Sequence, residues 1–399
     1  MQVELEDVEP LADGTHLLHI GPQKTGSTAL QRTLHEQRER LREHGVVYPG
    51  PGVRSRLALG AGLGYPTPTG GKRPAQGLWR QMLAEVNDPG ARVVCISSEA
   101  FGRAPDKQIA RTVDALGGDR PHVLLVARRY DRLLPSQWQQ RVKARVTLSY
   151  EEWLRVVLDP AMHRDPAWRN LWLPHNSARL AERWGEAVGA DNVTVLVSDD
   201  SDRTLLPSVA ERLLGLPHAL LAPSDEIDNR SLSYGEVEVL RAVNAHFEER
   251  GYAAKRYHRL VHRGLMPALL QQPRHPDDPP IPPLPAWSWG PLVERSRERV
   301  DGLEQLDVRV VGDPRILLLP DAPPPGAVDD SSESVTTRPT QVPLALVERA
   351  LAGLIDGAYH DRKIAKERSR RSADIPAAEQ PRQPAGRARR RSRRPDAAS

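Results

Sequence analysis

A chain of 399 residues is too long for one small module, so the sequence predicts about two domains or one large α/β domain with extensions. Hydrophobic residues make up 39% of it, enough for a sizeable core, and the net charge of +4 is too small to indicate a nucleic-acid-binding protein. Cys95 is the single cysteine, which excludes an intramolecular disulfide and a cysteine-based zinc site. The apolar neighbours of Cys95 predict an inert thiol in a buried strand.

The amino-terminal segment does not have the pattern of a signal peptide. It contains four acidic residues within its first nine positions and lacks a long apolar stretch. No apolar run elsewhere in the sequence approaches the length of a membrane span. These features predict a cytoplasmic protein.

Apolar runs and helical spacing alternate along the chain. In chain order, the sequence predicts a strand over 16–20, a helix over 26–44, a strand over 46–48, a helix over 76–86 and strands over 93–97 and 122–127. A helix that carries Ser136 comes next, followed by an amphipathic helix over 178–187, a strand over 193–197, a helix over 234–249 and a last helix and strand within 289–319. Such alternation predicts an α/β fold, in which a mostly parallel central sheet is flanked by helices and followed by a helical C-terminal extension.

The composition divides the chain into five predicted segments. These are a loose leader over 1–14, an α/β domain with helical insertions over 15–320, a linker over 321–343, a helix over 344–368 and a disordered, arginine-rich tail over 369–399. Within the domain, the Gly- and Pro-rich stretch 49–74 predicts a long surface loop that covers a site. The sequence makes no prediction of oligomeric state.

The segment between the first strand and the first helix has the chemistry of an anion site. The strand ends at a loop with two glycines, and the helix opens with Ser27 and Thr28. Unpaired N–H groups and the positive dipole end make such a helix start attractive to phosphate-like anions, and Lys24 adds a full charge. Because the lysine precedes Gly26 instead of following it, the loop differs from the GxxxxGK[ST] loop of magnesium-dependent kinases and GTPases.

The order Lys-Thr-Gly-Ser-Thr after a strand resembles the 5′-phosphosulfate loop of the sulfotransferase superfamily, whose donor is 3′-phosphoadenosine-5′-phosphosulfate (PAPS). The longer stretch HIGPQKTGSTALQ is similar to a bacterial branch of that superfamily. The resemblance implies a P-loop-like sulfotransferase fold. It also implies that the 5′-phosphosulfate is held by Lys24, Thr25, Gly26, Ser27 and Thr28. In the family, the loop lysine also stabilises charge on the bridging oxygen.

A second element supports the resemblance. The strand over 123–127 is followed directly by Arg128, and Ser136 comes eight residues later. Family members have an arginine and a serine at this separation that bind the 3′-phosphate, with Arg129 as the fallback for the arginine here. Arginine offers a planar fork to two phosphate oxygens, and the hydroxyl adds a neutral donor. Pro135 predicts that the helix starts late or is kinked.

The sequence departs from many eukaryotic members at the adenine site. Those members place a tryptophan just after the loop to stack on adenine, whereas this chain has Ala29. The adenine contact must therefore come from another residue. Trp138 is one candidate, but its setting favours packing into the core.

Glu99 is the predicted catalytic base. It follows the strand over 93–97 and therefore lies at the carboxyl edge of the sheet, where ligands of open α/β sheets bind. Several sulfotransferase branches use glutamate as the base and others use histidine. The alternative for Glu99 is a helix-capping carboxylate. His19 is a second candidate base, although its apolar strand favours a hydrogen-bonded core residue, and His163 and His175 cannot be placed.

Two groups of polar residues have two interpretations each. The helix of Ser136 carries a polar set that either lines an acceptor groove or forms a solvated face: Gln137, Gln139, Gln140, Arg141, Lys143 and Arg145. The tail carries arginines that either bind nucleic acid or another anionic surface, or only solubilise the chain: Arg387, Arg389, Arg390, Arg391, Arg393 and Arg394.

The predicted function is transfer of a sulfuryl group from PAPS to a hydroxyl or amine of an acceptor, without a metal. The acceptor is an unidentified small molecule or carbohydrate, and lipids and secondary metabolites are among the candidates. The catalytic residues implied are Lys24 and Glu99. The runner-up is a divergent P-loop nucleotide kinase or NTPase, against which the position of the lysine argues. A nucleic-acid-associated protein that uses the arginine tail is a third, less favoured hypothesis.

Overall fold

The computed structural model describes residues 2–50, 52–53, 55–67, 74–222, 230–271, 278, 280–324 and 342–373. Within these ranges seven strands form one parallel sheet, in the order β1-β7-β6-β5-β2-β4-β3. The strands are β1 (Gln2–Val3), β2 (Thr15–Gly21), β3 (Val46–Val47), β4 (Val93–Ser97), β5 (Arg120–Ala127), β6 (Val193–Val197) and β7 (Arg309–Val311). The predicted α/β class is confirmed.

The strands are apolar along most of their length because both faces of the sheet are covered. Successive side chains point to opposite faces, so Leu18 and Ile20 belong to one core and Leu17 to the other. Cys95 also lies in the second core, where burial raises the pKa of its thiol to about 12. The predicted burial of Cys95 in a strand is confirmed.

Helices cover both faces of the sheet. The side chains of α1 (Ser27–Glu36), α2 (Arg38–Glu43) and α10 (Leu205–Leu214) pack on one face. The other face is covered by α3 (Arg56–Gly62), α4 (Gln76–Val86), α5 (Asp106–Leu116), α9 (Ser177–Val188) and α14 (Trp289–Gln305). In the part of the chain that the structure describes, no helix is long and apolar enough to cross a membrane.

A third hydrophobic core is almost entirely helical. It is built by α6 (Tyr130–Lys143), α7 (Tyr150–Leu158), α8 (Pro166–His175), α11 (Tyr234–Glu249), α12 (Ala254–Tyr257), α13 (Met266–Leu270) and α15 (Leu344–Ala373), with the start of α14. Trp138 is fully buried there, with its indole N–H bonded to the Leu148 carbonyl at 3.1 Å. Its predicted place in the core is confirmed.

The structure differs from the sequence prediction in three places. The helix predicted over 26–44 is divided at Gln37 into α1 and α2. The stretch 49–74, predicted as a loop, contains α3. The prediction of a loose leader over 1–14 is wrong for its first residues, because β1 pairs with β7 and Val8 is buried in a core.

The carboxyl-terminal helix packs closely on the rest of the helical core. It was predicted over 344–368, and α15 extends to Ala373. Where it crosses the π-helical segment His258–Leu265, glycines permit the close approach: a Cβ added at Gly353 would lie 2.9 Å from the Gly264 carbonyl oxygen. Most of the predicted linker and the tail from 374 onward lie outside the described residues.

The strand order has a topological switch beside β2. From β2 the chain builds β3 and β4 on one side, and then crosses to build β5, β6 and β7 on the other. Ligands of open α/β sheets bind at such a switch, outside the carboxyl ends of the strands. The loops after β2, β4 and β5 meet there.

Candidate active site

The loop after β2 is held in shape by its own carbonyl groups. The Pro22 carbonyl accepts hydrogen bonds from the hydroxyls of Thr25 (2.7 Å) and Ser27 (3.2 Å). The next two carbonyls are bound by side chains from the segment after β5: Gln137 Nε2 donates to the Gln23 oxygen at 3.0 Å, and Arg128 Nη1 donates to the Lys24 oxygen at 2.8 Å.

These contacts leave the amide side of the loop available to an anion. Within the described chain, the backbone N–H groups of Lys24, Gly26 and Ser27 donate no hydrogen bond. Lys24 has a positive φ of 69°, a conformation that residues with a Cβ rarely adopt, and Gly26 has φ 91°. Three carbonyls bound by donors and three amides without a partner give the loop an excess of positive partial charge.

The hydroxyls in the loop do more than the sequence indicated. Thr25 and Ser27 were predicted as ligands of the donor, but both are buried and give their protons to the Pro22 carbonyl. Their first role is therefore to close the loop, and their role as ligands stays a prediction. Thr28, at the start of α1, is half-buried.

Lys24 lies in a strongly electrostatic setting. Burial lowers the pKa of its ammonium group, and the neighbouring Arg128 lowers that pKa further, whereas Glu99 raises it. The side chain is half-buried and forms no salt bridge within the described part of the chain. A cation in this state gains from an added anion, because the anion offsets both the lost hydration and the repulsion by Arg128.

Glu99 lies directly beside the end of β2. A Cβ added at Gly21 would be 3.2 Å from both Cα and Cγ of Glu99, and Gly21 has φ 82°. Only a glycine permits this approach at that backbone conformation. The short 3₁₀ helix Phe101–Arg103 receives no side-chain cap at its start, so the alternative of a capping carboxylate is not observed.

Arg128 follows β5 and is anchored from two sides. Its Nε and Nη2 donate to the two carboxylate oxygens of Asp200 at 2.7 and 2.9 Å, while Nη1 binds the Lys24 carbonyl. These bonds use three of the five N–H donors of a guanidinium, so two remain for a ligand. Arg129, the fallback, instead pairs with Asp131 at the start of α6.

Ser136 lies on α6, as predicted, but it makes no hydrogen bond to the loop or to Arg128. The side chain is half-buried. The helix does not start late: it begins at Tyr130, with Pro135 inside it. Gln137, the next residue, is the one that contacts the loop.

His19 is part of the core beneath the loop. It is 1% exposed, its Nδ1 lies 2.7 Å from the Ser97 hydroxyl, and Gln31 Nε2 donates to that same hydroxyl at 3.2 Å. Burial lowers the pKa of His19 to about 4, so the imidazole is neutral at pH 7. This agrees with the interpretation of His19 as a core residue. His163 is exposed, and His175 is buried.

Sequence reasoning missed two of the charged residues at this edge. Asp200 follows β6, and a carboxylate at the end of a strand was a signal of the kind used for Glu99. Arg103 had no signal in the sequence. It reaches the loop and donates through Nη2 to Gln23 Oε1 at 3.0 Å, and Arg141 on α6 donates to that same oxygen at 3.1 Å.

Two features of the described residues lie outside the predicted site: a cleft elsewhere on the protein and the distribution of possible metal ligands. A cleft of about 480 Å³ opens at the opposite edge of the sheet, near Pro10, Asp119 and Asn192, and it contains none of the predicted site residues. Among the described residues, no group of three His, Cys, Asp or Glu side chains is arranged to hold a metal ion.

Comparisons with known proteins add little. No protein-family model matches the chain, and no curated protein matches it. Among solved structures, the chain is similar to a sulfotransferase from Alicyclobacillus acidocaldarius, with 17% sequence identity and a TM-score of 0.36 over 63% of this chain and 96% of that one. A similarity this distant carries no argument, so the functional proposal depends on the residues at the carboxyl edge of the sheet.

Proposed function

We propose that the protein is a PAPS-dependent sulfotransferase, which moves a sulfuryl group to a hydroxyl or amine of an acceptor such as a carbohydrate, a lipid or a secondary metabolite. One observation carries the proposal. The loop assigned to the donor's phosphosulfate and the arginine assigned to its 3′-phosphate are in direct contact, through the 2.8 Å bond between Arg128 and the Lys24 carbonyl. One adenosine can therefore bridge the two.

The two anionic ends of PAPS match the hydrogen-bond donors at this edge of the sheet. The 5′-phosphosulfate would lie against the free amides of Lys24, Gly26 and Ser27 at the start of α1. The 3′-phosphate would take the two N–H groups of Arg128 that remain, together with the Ser136 hydroxyl. Asp200 holds the guanidinium in place for that contact.

Transfer requires in-line placement, stabilisation of charge and removal of a proton. The bond between sulfur and the bridging oxygen breaks, and sulfur bonds to the acceptor oxygen or nitrogen. Lys24 stabilises the charge that develops on the leaving 5′-phosphate. Glu99 takes the acceptor's proton as general base.

The experiment that tests the proposal measures binding of adenosine 3′,5′-bisphosphate (PAP) by calorimetry without magnesium. Arg128→Ala should weaken PAP binding about 10- to 100-fold, since it removes a charge-assisted contact to phosphate. Arg132→Ala is the matched control, because this arginine lies on α6 with its side chain 66% exposed. Equal affinities in the two variants would contradict the assignment of Arg128.

The second arm of the experiment is a transfer assay with labelled PAPS against a panel of hydroxyl and amine acceptors. We expect label to move to at least one acceptor. Magnesium-dependent ATP turnover without PAP binding would support the kinase hypothesis instead.

A further inference from the structure

Two arginines, one of them four residues after the proposed base Glu99, share a single neutral acceptor. Arg103, in the short helix after Glu99, and Arg141, on α6, both donate through Nη2 to Gln23 Oε1, at 3.0 and 3.1 Å. The shared oxygen holds the two guanidinium groups close together. Neither forms a salt bridge with any residue that the structure describes, and the Nε atom of each is buried without a partner.

This arrangement is costly without an anion. Burial, and then repulsion by Arg103, lowers the pKa of Arg141. Burial, and then repulsion by Arg56, lowers the pKa of Arg103. A guanidinium nevertheless stays charged at neutral pH. Two partly desolvated positive charges therefore lie side by side, a state that proteins stabilise by supplying a carboxylate or another oxyanion.

The chain supplies little negative charge here. Glu99 acts on Arg103 and raises its pKa, but no salt bridge joins the two within the described residues. No other charged group acts on Arg141 besides Arg103, so within the described residues no carboxylate offsets its charge. His175 is buried nearby, and its pKa is lowered well below the usual range, so it is neutral and cannot supply a charge of either sign.

The position of the pair separates it from the contacts proposed for the donor. Those contacts use the amides of the loop after β2, Lys24 and Arg128. Arg103 and Arg141 instead bind the side chain of Gln23, and Arg103 lies four residues after Glu99 in the chain. An anion bound by the pair would thus be a near neighbour of the base that receives the acceptor's proton.

We propose that Arg103 and Arg141 bind an oxyanion of the acceptor, so that the acceptor is an acidic molecule with a carboxylate or sulfate group close to the hydroxyl or amine that is modified. This inference rests on the proposed sulfotransferase function. It assigns to α6 the acceptor groove that the sequence left open: Gln137 and Gln139 are buried and Arg141 is half-buried, so this part of the helix is not a solvated face.

The test measures binding of three sugars to protein saturated with PAP, so that the donor site is filled. The probes are the methyl β-glycosides of glucose, of glucuronic acid (carboxylate) and of glucose 6-sulfate (sulfate), which share their remaining hydroxyls. We expect at least one acidic sugar to bind about 10- to 100-fold more tightly than the neutral one, the range of a charge-assisted contact. Which acidic sugar is preferred identifies the anion.

Substitutions at the two arginines test whether they cause the preference for an acidic sugar. Arg103→Gln and Arg141→Gln should each reduce it about 10-fold while leaving PAP affinity within threefold, and the control Arg132→Gln should keep it. Equal binding of all three sugars to the unaltered protein would overturn the inference, as would a full preference in both variants. A loss of PAP affinity as large as that of Arg128→Ala would assign the pair to the donor and also overturn it.

The two proposals fail in different ways. If the unaltered protein does not bind PAP, the proposed function itself is wrong. If it binds PAP but shows no preference for an acidic sugar, only the inference about the acceptor is wrong.

Discussion

At the residue scale, Lys24 is expected to make the largest contribution to transition-state stabilisation in the proposed reaction. Burial and Arg128 lower the pKa of the Lys24 ammonium group, and Glu99 raises it. The Lys24 backbone is left-handed, and its carbonyl accepts a hydrogen bond from Arg128. In the proposed reaction, a lysine on this anchored backbone would present its charge to the leaving phosphate. A fixed charge costs no reorganisation at the moment of reaction.

Lys24→Ala should lower kcat about 100- to 1000-fold, the usual loss for one key donor to a transition state. The measurement is the rate of sulfuryl transfer at saturating PAPS. Lys107→Ala, on the exposed face of α5, is the matched control and should leave the rate unchanged. A Lys24→Ala enzyme within threefold of the original rate would remove this lysine from the chemistry.

The lowered pKa of Lys143 predicts that PAP binding is coupled to proton uptake. Burial, and then repulsion by Lys24 and Arg230, lowers the pKa of Lys143 to about 8. A bound anion favours the charged form and raises that pKa, so PAP binding at pH 8 should take up a proton, and PAP affinity should fall as the pH rises above 8. Calorimetry in buffers of different ionisation enthalpy measures the uptake. It should disappear in Lys143→Met; uptake that persists in that variant must come from another group.

At the element scale, the end of β2 lies against Glu99 and so sets the distance between the loop and the proposed base. Gly21→Ala would place a Cβ 3.2 Å from Glu99 at a positive φ. We expect a loss of about 1–2 kcal/mol in the free energy of unfolding, from the left-handed backbone alone. We also expect kcat to fall about 10- to 100-fold as Glu99 is displaced, while PAP affinity stays within threefold.

The control for that variant is Gly77→Ala, in helix α4, where an added Cβ meets no atom within 4 Å. Because alanine is the better helix former, this change should be neutral or slightly stabilising. Thermal unfolding and transfer rates measure both variants. A Gly21→Ala enzyme with normal kcat would show that the close packing of Glu99 against β2 has no role in catalysis.

Elements with a strong local pattern were predictable from the sequence, and their arrangement was not. The strands at 93–97 and 193–197 and the helices at 76–86 and 234–249 agree with the structure to the residue, because apolar runs and helical spacing are local signals. The insertion of β4 between β2 and β3 depends on pairing between distant segments. No local pattern reports that pairing.

The same division holds for the candidate site. The loop and Arg128 could be found because each follows a strand directly, and parallel strands bring their carboxyl ends to one edge. The contact of Arg103 and Arg141 at Gln23 could not, since 118 residues separate Gln23 from Arg141. The internal bonds of Thr25 and Ser27 depend on the loop's backbone conformation, which the sequence does not specify.

At the scale of the whole molecule, the charge is unevenly distributed. Residues 374–399 contain seven arginines and three acidic residues, so this segment accounts for the entire net charge of +4. The preceding 373 residues are neutral overall, with His taken as neutral. In the proposed function, these 373 residues would attract the anionic donor through local charges such as that of Lys24 and not through their net charge, because charges in solvent act over only about 8–10 Å at physiological ionic strength.

A chain truncated after Ala373 tests this separation. At about 0.15 M salt, its PAP affinity and transfer rate should stay within about twofold of the full chain, since every residue proposed to contact the donor lies within 24–136. Its binding to a double-stranded oligonucleotide at low salt should weaken, because the net positive charge has been removed. The measurements are calorimetry, the transfer assay and a salt series of oligonucleotide binding. If truncation abolished PAP binding as Arg128→Ala is expected to weaken it, the arginines of the tail would belong to the donor site, and the site at the sheet edge would be incomplete without them.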